Sequence, residues 1–242
     1  MHADSRQQHE SRYHRVLTRA LQALITGRQE SLLMTSAEWY FDFISPFAYL
    51  QFETLAQLPP DLDIAFRPVV FAGILNHLQH KGPAEIPGKR RFTYRHVQWL
   101  ARHHGIALKF PPAHPFNPLR ALRLAIALEC RREAIATIFH FIWRDGRSLD
   151  DPAGREDLSA VLGIGGVDEL TSQQRVKDEL RANGERAIAR GVFGVPTFAI
   201  DGELFWGFDA TGMVIDYVTD PQSFNSGEMA RIGDLPAAAR RN

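Results

Sequence analysis

Ser45 and Pro46 close the apolar run WYFDFI and open PFAYL. Serine is a favoured helix N-cap, and proline fits the first helical turn, where its missing N–H would be unpaired anyway. A helix N-terminus also favours negative charge, through its unpaired N–H groups and aligned peptide dipoles. Ser45 is therefore open to two readings: a plain cap, or a hydroxyl that steadies an ionised nucleophile. A thiol with a pKa of about 8.5 is mostly neutral at pH 7, so a donor that lowers this value increases the supply of thiolate. Cys130 is the single cysteine of the chain. It permits no intramolecular disulfide and no CxxC redox pair, and its place at the end of a leucine-rich helix reads as structural burial.

Other polar residues carry similar double readings. Lys89, Arg90 and Arg91 in PGKRRF form either a solvated basic face or a carboxylate site. Asp209 precedes TGMVIDYV, where it can cap a helix or receive a cation. Asn117 in FNPLR is an N-cap or the polar wall of a substrate pocket. Pro196, before the strand-like TFAI, suits the start of a strand because proline cannot donate within a ladder. His103, His104 and His114 lack a compact ligand set, so no metal site is expected. Trp143 and Trp206 lie in apolar patterns and are expected in the core.

These residues need elements to hold them. Residues 38–44 (EWYFDFI) read as a buried strand, and Leu50, Thr54, Leu55 and Leu58 recur at helical spacing until Pro59-Pro60. DIAFRPV is a second strand, and a β-α-β opening demands a parallel pair with a covering helix. Between residues 70 and 190 the pattern turns helical. FAGILNHL, the face Phe92-His96-Trp99-Leu100, residues 118–130, AIATIFHFIWRD, 153–162 and 168–190 read as helices, and HHGIALKFPPAHP reads as an extended crossing. TFAI and ELFW flank Asp201-Gly202, a strong hairpin signal, and DATGMVIDYVTD offers a last helix. The chain thus divides into a disordered extension over 1–37, a sheet domain from 38–70 and 191–219, a helical insertion over 71–190, and a tail over 220–242.

Bulk composition bounds the partners. Hydrophobic residues make up 45% of the 242, and 28 basic residues balance 28 acidic ones. That is a globular chain with no net field to draw nucleic acid or anionic lipid. No segment approaches the roughly 18 continuous apolar residues of a membrane span, and the N-terminus lacks the apolar core of a secretory signal. A cytoplasmic location is expected, in keeping with the cysteine count.

SPFAYL after a strand, then FRPVVFAGIL, PGKRRF, FPPAHPFNPLRALR and finally GVFGVPTF before a hairpin occur in that order. In this order they resemble the 2-hydroxychromene-2-carboxylate isomerases, which belong with the kappa-class glutathione transferases and DsbA-like proteins. The resemblance runs from about Glu38 to Thr219 and implies an α/β chain: a thioredoxin-like fold with an inserted all-helical domain. It makes Ser45 the catalytic serine, whose hydroxyl steadies the thiolate of bound glutathione. Ser45 then stands where DsbA-like oxidoreductases keep their first active-site cysteine, and Ala48 at the second. Lys89 matches a lysine for the tripeptide's carboxylate, and Asp209 an aspartate for its γ-glutamyl ammonium. Val195 and Pro196 match a pair in which a cis proline frees the preceding backbone for the cysteinyl part.

The chain also departs from the family pattern. Gln79 and His80 stand where relatives have Gly-Asn, leaving His80 as the glutathione-site donor, and Phe208 and Ala210 replace polar neighbours of Asp209. Arg90, Arg91 and Asn117 are assigned to the substrate. The implied activity is glutathione-dependent cis/trans isomerisation of 2-hydroxychromene-2-carboxylate, or a similar small aromatic acid, in aromatic catabolism. Two alternatives stay open: a kappa-like glutathione transferase or peroxidase, and a non-catalytic thioredoxin-like binding module. A homodimer is compatible with the resemblance; nucleic acid and membrane are not expected partners.

Overall fold

β1 (Ser36–Phe41) is buried from Ala37 onward, which requires cover on both faces. In the computed structural model, which describes residues 35–233, 235 and 236, that cover is complete. The expected extension over 1–37 falls outside the described residues up to position 34, whereas Ser36 and Ala37 already belong to the strand. β1 pairs in parallel with β2 (Asp63–Pro68), with Trp39 opposite Phe66. α1 (Pro46–Glu53) makes the crossover. The other edge of β1 pairs antiparallel with β3 (Thr197–Ile200), which turns back into β4 (Glu203–Trp206). The result is a mixed four-stranded sheet of order β2-β1-β3-β4. Asp201 and Gly202 both take positive φ, 50° and 95°, as a two-residue hairpin turn of the primed type requires.

β1 ends at Phe41, three residues before the expected boundary. The Asp42 carboxylate accepts from the Ile44 N–H at 3.0 Å and the Phe71 N–H at 2.9 Å, which bends residues 42–44 out of the sheet. The intervening chain forms α2 (Phe71–His77), α3 (Pro87–His103), α4 (Leu119–Ala127), α5 (Arg132–Phe139), α6 (Pro152–Leu162), α7 (Val167–Ser172) and α8 (Gln174–Ala189). Two expectations need correction. The helix over 168–190 breaks at Gln173, whose ψ of 133° is not helical. The helix expected to reach Cys130 ends at Ala127, and Glu129 and Cys130 take positive φ. Cys130 is half-buried against the core, and that burial, with the Glu179 carboxylate adding to it, pushes the thiol up to about 12.

One core joins sheet and helices. Trp39 stacks on Phe41 with centroids 4.6 Å apart, Phe43 meets Phe139 of α5 at 4.5 Å, and Leu122, Ile138 and Trp143 complete the cluster. Each fully buried side chain of this size contributes about 1.5–3 kcal/mol. The helical segment therefore packs as part of the same compact unit, which begins at Ser36. On the opposite face of β1, Tyr40 joins Val69, Ile74, Ala187, Val192, Val195 and Ala199. After β4 come α9 (Thr211–Thr219) and α10 (Gly227–Gly233). The expected tail starts as structure: Phe224 packs 5.3 Å from Tyr217 and 5.8 Å from Phe205.

Candidate active site

The bend after β1 presents Ser45 as the N-cap of α1, with extended dihedrals of −90° and 113°. Its Oγ accepts from the Ala48 N–H at 3.3 Å and donates to the Val195 carbonyl at 3.5 Å. The second contact is long and weak, so the hydroxyl proton can be redirected to a better acceptor at small cost. Ser45 is 7% exposed. The Val195–Pro196 bond is cis, as the sequence reading expected. One oxygen thus caps α1 and carries a proton turned toward the carbonyl before Pro196.

Several buried groups fix the backbone that carries this serine. Trp143, brought inward by a π-helical turn over His140–Arg144, donates its indole N–H to the Phe43 carbonyl at 2.8 Å. His114 Nε2 lies 2.8 Å from the Ile44 carbonyl; since a carbonyl only accepts, this nitrogen carries a proton. His114 Nδ1 lies 2.7 Å from the Tyr94 hydroxyl, and burial lowers the imidazole's pKa, favouring the neutral ring. Beneath them Asp42 is fully buried, and that burial, only partly offset by its two backbone N–H donors, pushes its carboxyl up to about 7. The sequence reading missed Asp42 and His114 as positioning groups and had Trp143 only as core.

The loop after β4 is tied to the same centre. Gly207 N–H donates to the Pro196 carbonyl at 2.9 Å. Gln51 of α1, fully buried, accepts from Trp39 Nε1 at 2.7 Å and donates to the Gly207 carbonyl at 3.0 Å and Thr211 Oγ1 at 3.1 Å. Asp209, exposed within the short 3-10 turn Phe208–Ala210, is thereby held at a fixed offset from α1. A lone glutamine within PFAYLQFE was the signal for this clamp. Trp206 departs from its expected core place: it is 53% exposed and lies over Gly194, where any Cβ would collide with its indole, with Phe193 edge-on at 5.3 Å.

The structure brings Ser45, Val195 and Pro196 into contact and links Asp209 to them through Gly207 and Gln51. The other expected site residues stand apart. Lys89, Arg90 and Arg91 are exposed on the first turns of α3, and no hydrogen bond or ion pair joins them to Ser45 among the described residues. α3 nonetheless packs beside α1, with Phe47 and His96 rings 6.1 Å apart. His80 is exposed just after α2, its N–H donating to the Leu75 carbonyl at 2.9 Å. Asn117 is exposed, and its side-chain oxygen accepts from the Leu119 N–H at 3.0 Å, a turn just ahead of α4, whose N-cap position is Pro118 rather than Asn117. Among the described residues no group of three or more His, Cys, Asp or Glu is arranged to hold a metal, and no helix is long and apolar enough to cross a membrane.

Comparison with known proteins agrees with this architecture. The family model for the DSBA-like thioredoxin domain matches residues 37–218. Glutathione s-transferase kappa 2 of Caenorhabditis elegans is 26% identical over 206 residues, covering 76% of this chain and 92% of that relative. The 2-hydroxychromene-2-carboxylate isomerase of Pseudomonas putida is 28% identical over 184 residues, covering 73% and 91%. A solved structure of a 2-hydroxychromene-2-carboxylate isomerase superimposes with a TM-score of 0.67 at 23% identity, over 84% of this chain and all of that one. With three quarters of its length matched, the chain belongs to the DsbA-like thioredoxin family.

Proposed function

We propose that this protein is an enzyme that uses glutathione to isomerise 2-hydroxychromene-2-carboxylate or a similar small aromatic acid. The observation that carries the reading is the Ser45 hydroxyl, set at a helix N-terminus with its proton engaged only by a 3.5 Å contact to the carbonyl before Pro196. The relatives named above, isomerases and glutathione transferases, support the same chemistry.

The donor set suits a tripeptide thiol. The N–H groups of α1 and the Ser45 hydroxyl favour an anion at the helix end. The Val195 backbone, just ahead of β3, offers hydrogen-bonding groups for a peptide, Asp209 an acceptor for an ammonium group, and Lys89 a cation for a carboxylate. Glutathione bound there would supply a thiolate that adds reversibly to the conjugated substrate, making rotation about the former double bond free. Ser45 keeps the sulfur ionised by turning its proton from the Val195 carbonyl toward it. Asp42, Trp143 and His114 hold the backbone leading to Ser45, so only the hydroxyl proton need turn to meet the sulfur. Arg90 or Arg91 pairs with the substrate carboxylate, and Asn117 borders the substrate. No second cysteine is needed, because the reaction involves no net oxidation.

The test is conversion of 2-hydroxychromene-2-carboxylate with and without reduced glutathione. The proposal expects turnover only with glutathione, and none of the glutathione consumed. A kappa-like transferase or peroxidase, favoured by the similarity to the nematode relative, would instead consume glutathione stoichiometrically on aromatic halides or hydroperoxides. Failure to bind glutathione at millimolar concentration would leave a non-catalytic binding module.

A further inference from the structure

A second polar cleft, of about 320 Å³, lies where α4, α7 and the start of α8 meet. Its lining includes Asn117, Arg120, Arg123, Asp168, Thr171 and Lys177; Asn117 is shared with the substrate residues proposed above, and none of the residues assigned to glutathione takes part. Arg120 and Arg123 are three residues apart on α4 and so share one helix face. Asp168 is the one carboxylate of the lining, and it is already engaged by Arg120 at 3.1 Å and Arg155 at 3.0 Å. Arg123 and Lys177 have no carboxylate partner among the described residues.

Arg123 reaches the cleft with the end of its side chain. Its Nε is shut off from solvent, so an oxygen the size of water cannot touch it and the terminal guanidinium nitrogens are the donors open to a ligand. The surroundings are also rich in donors. Asn117 has its oxygen occupied by the Leu119 N–H, which leaves its amide N–H groups for another partner. A guanidinium fork, an ammonium and an amide facing one small cleft match the oxygens of a small anion. We propose that this cleft binds a small oxyanion, a phosphate or carboxylate group, which accepts from Arg123 and Lys177. The volume suits a small ligand rather than a large cofactor, and the anion would bridge three helices.

The bridging predicts a thermal signature independent of glutathione. Inorganic phosphate and malonate are titrated into the full chain at constant ionic strength set with chloride, and the melting midpoint is followed. At about ten times the dissociation constant, a ligand that binds only the folded state raises the midpoint by roughly 3–6 °C for a chain of this size. The anion that acts at lower concentration names the class. Arg123→Met, which keeps the stem and removes the guanidinium, should melt at or above the parent in chloride and lose at least ten-fold in anion sensitivity. Lys177→Met should lose a similar factor while leaving the chloride midpoint within about 1 °C. The proposal is overturned if neither anion exceeds matched chloride, if both variants respond like the parent, or if Arg123→Met melts lower by the same amount with and without anion. That last pattern marks a purely structural arginine. Glutathione affinity, measured alongside, should not change in either variant, so failure here is separate from failure of the isomerase reading.

Discussion

Gln51→Leu removes the clamp between α1 and the loop bearing Asp209 while preserving most of the side-chain volume. Two groups lose their partner: the indole N–H of Trp39, 2.7 Å from the Gln51 oxygen, and the Gly207 carbonyl, 3.0 Å from its nitrogen. Thr211 loses less, because its hydroxyl still donates to the Phe208 carbonyl at 2.7 Å. Trp39 is inaccessible to water, so its N–H bears the full penalty of an unpaired buried donor, about 1–3 kcal/mol. Gly207 is partly accessible and recovers some hydration, so the sum is about 2–4 kcal/mol. At about 2–4 °C per kcal/mol for a chain of this length, the melting midpoint should fall by roughly 4–16 °C. Glutathione affinity should also fall at a temperature where the variant is folded, because Asp209 loses its fixed offset from Ser45. A cycle with Trp39→Phe tests the pairing: the double variant should be more stable than the two losses added predict, by at least about 0.5 kcal/mol. A midpoint within 2 °C of the parent, or strict additivity in the cycle, would refute the clamp.

Asp42 sets a pH dependence of stability. Its folded pKa of about 7 exceeds the unfolded value, so the folded state holds the proton more tightly. That stabilisation is fully present below the unfolded pKa near 4 and is lost as pH rises through 7, by up to about 1.4 kcal/mol per unit. Midpoints measured from pH 4 to 8 should show Asp42→Asn with a lower absolute value, because its NH2 faces a backbone N–H, and with that slope removed; parallel curves would count against the assignment. Asp209→Asn should weaken glutathione binding by no more than about five-fold, since an exposed ion pair contributes about 0.2–1 kcal/mol. Calorimetry over a range of salt concentrations checks this, and equal affinities throughout would remove Asp209 from the site.

The hairpin around Asp201-Gly202, the opening β-α-β unit and the Ser45 cap were legible because each rests on short-range chemistry: turn residues, periodicity and a capping side chain. The cis bond before Pro196 was legible only through the order of motifs along the chain. What stayed hidden depends on contacts between distant segments. Gln51 reads as one polar residue in an apolar helix until Gly207, 156 positions later, is placed beside it. His114 reads as a scattered histidine until its ring reaches the Ile44 carbonyl, 70 positions earlier. The π-helical turn that delivers Trp143 has no local signature, and Trp206 was misplaced because an apolar strand pattern does not show which side of an edge strand faces solvent.

Ultraviolet titration of the thiol of bound glutathione, in the parent and in Ser45→Ala, tests the role of Ser45 most directly. Ser45→Ala also removes a helix cap, a loss of about 0.5–2 kcal/mol, so melting curves must show both proteins folded at the assay temperature. The Ser45 hydroxyl and the end of α1 should hold the bound thiol's pKa below that of free glutathione in the parent. In Ser45→Ala the thiol pKa should rise while much of the tripeptide affinity remains. Identical titration in the two proteins would make Ser45 a helix cap alone and contradict the thiolate-stabilising role on which the proposed function rests.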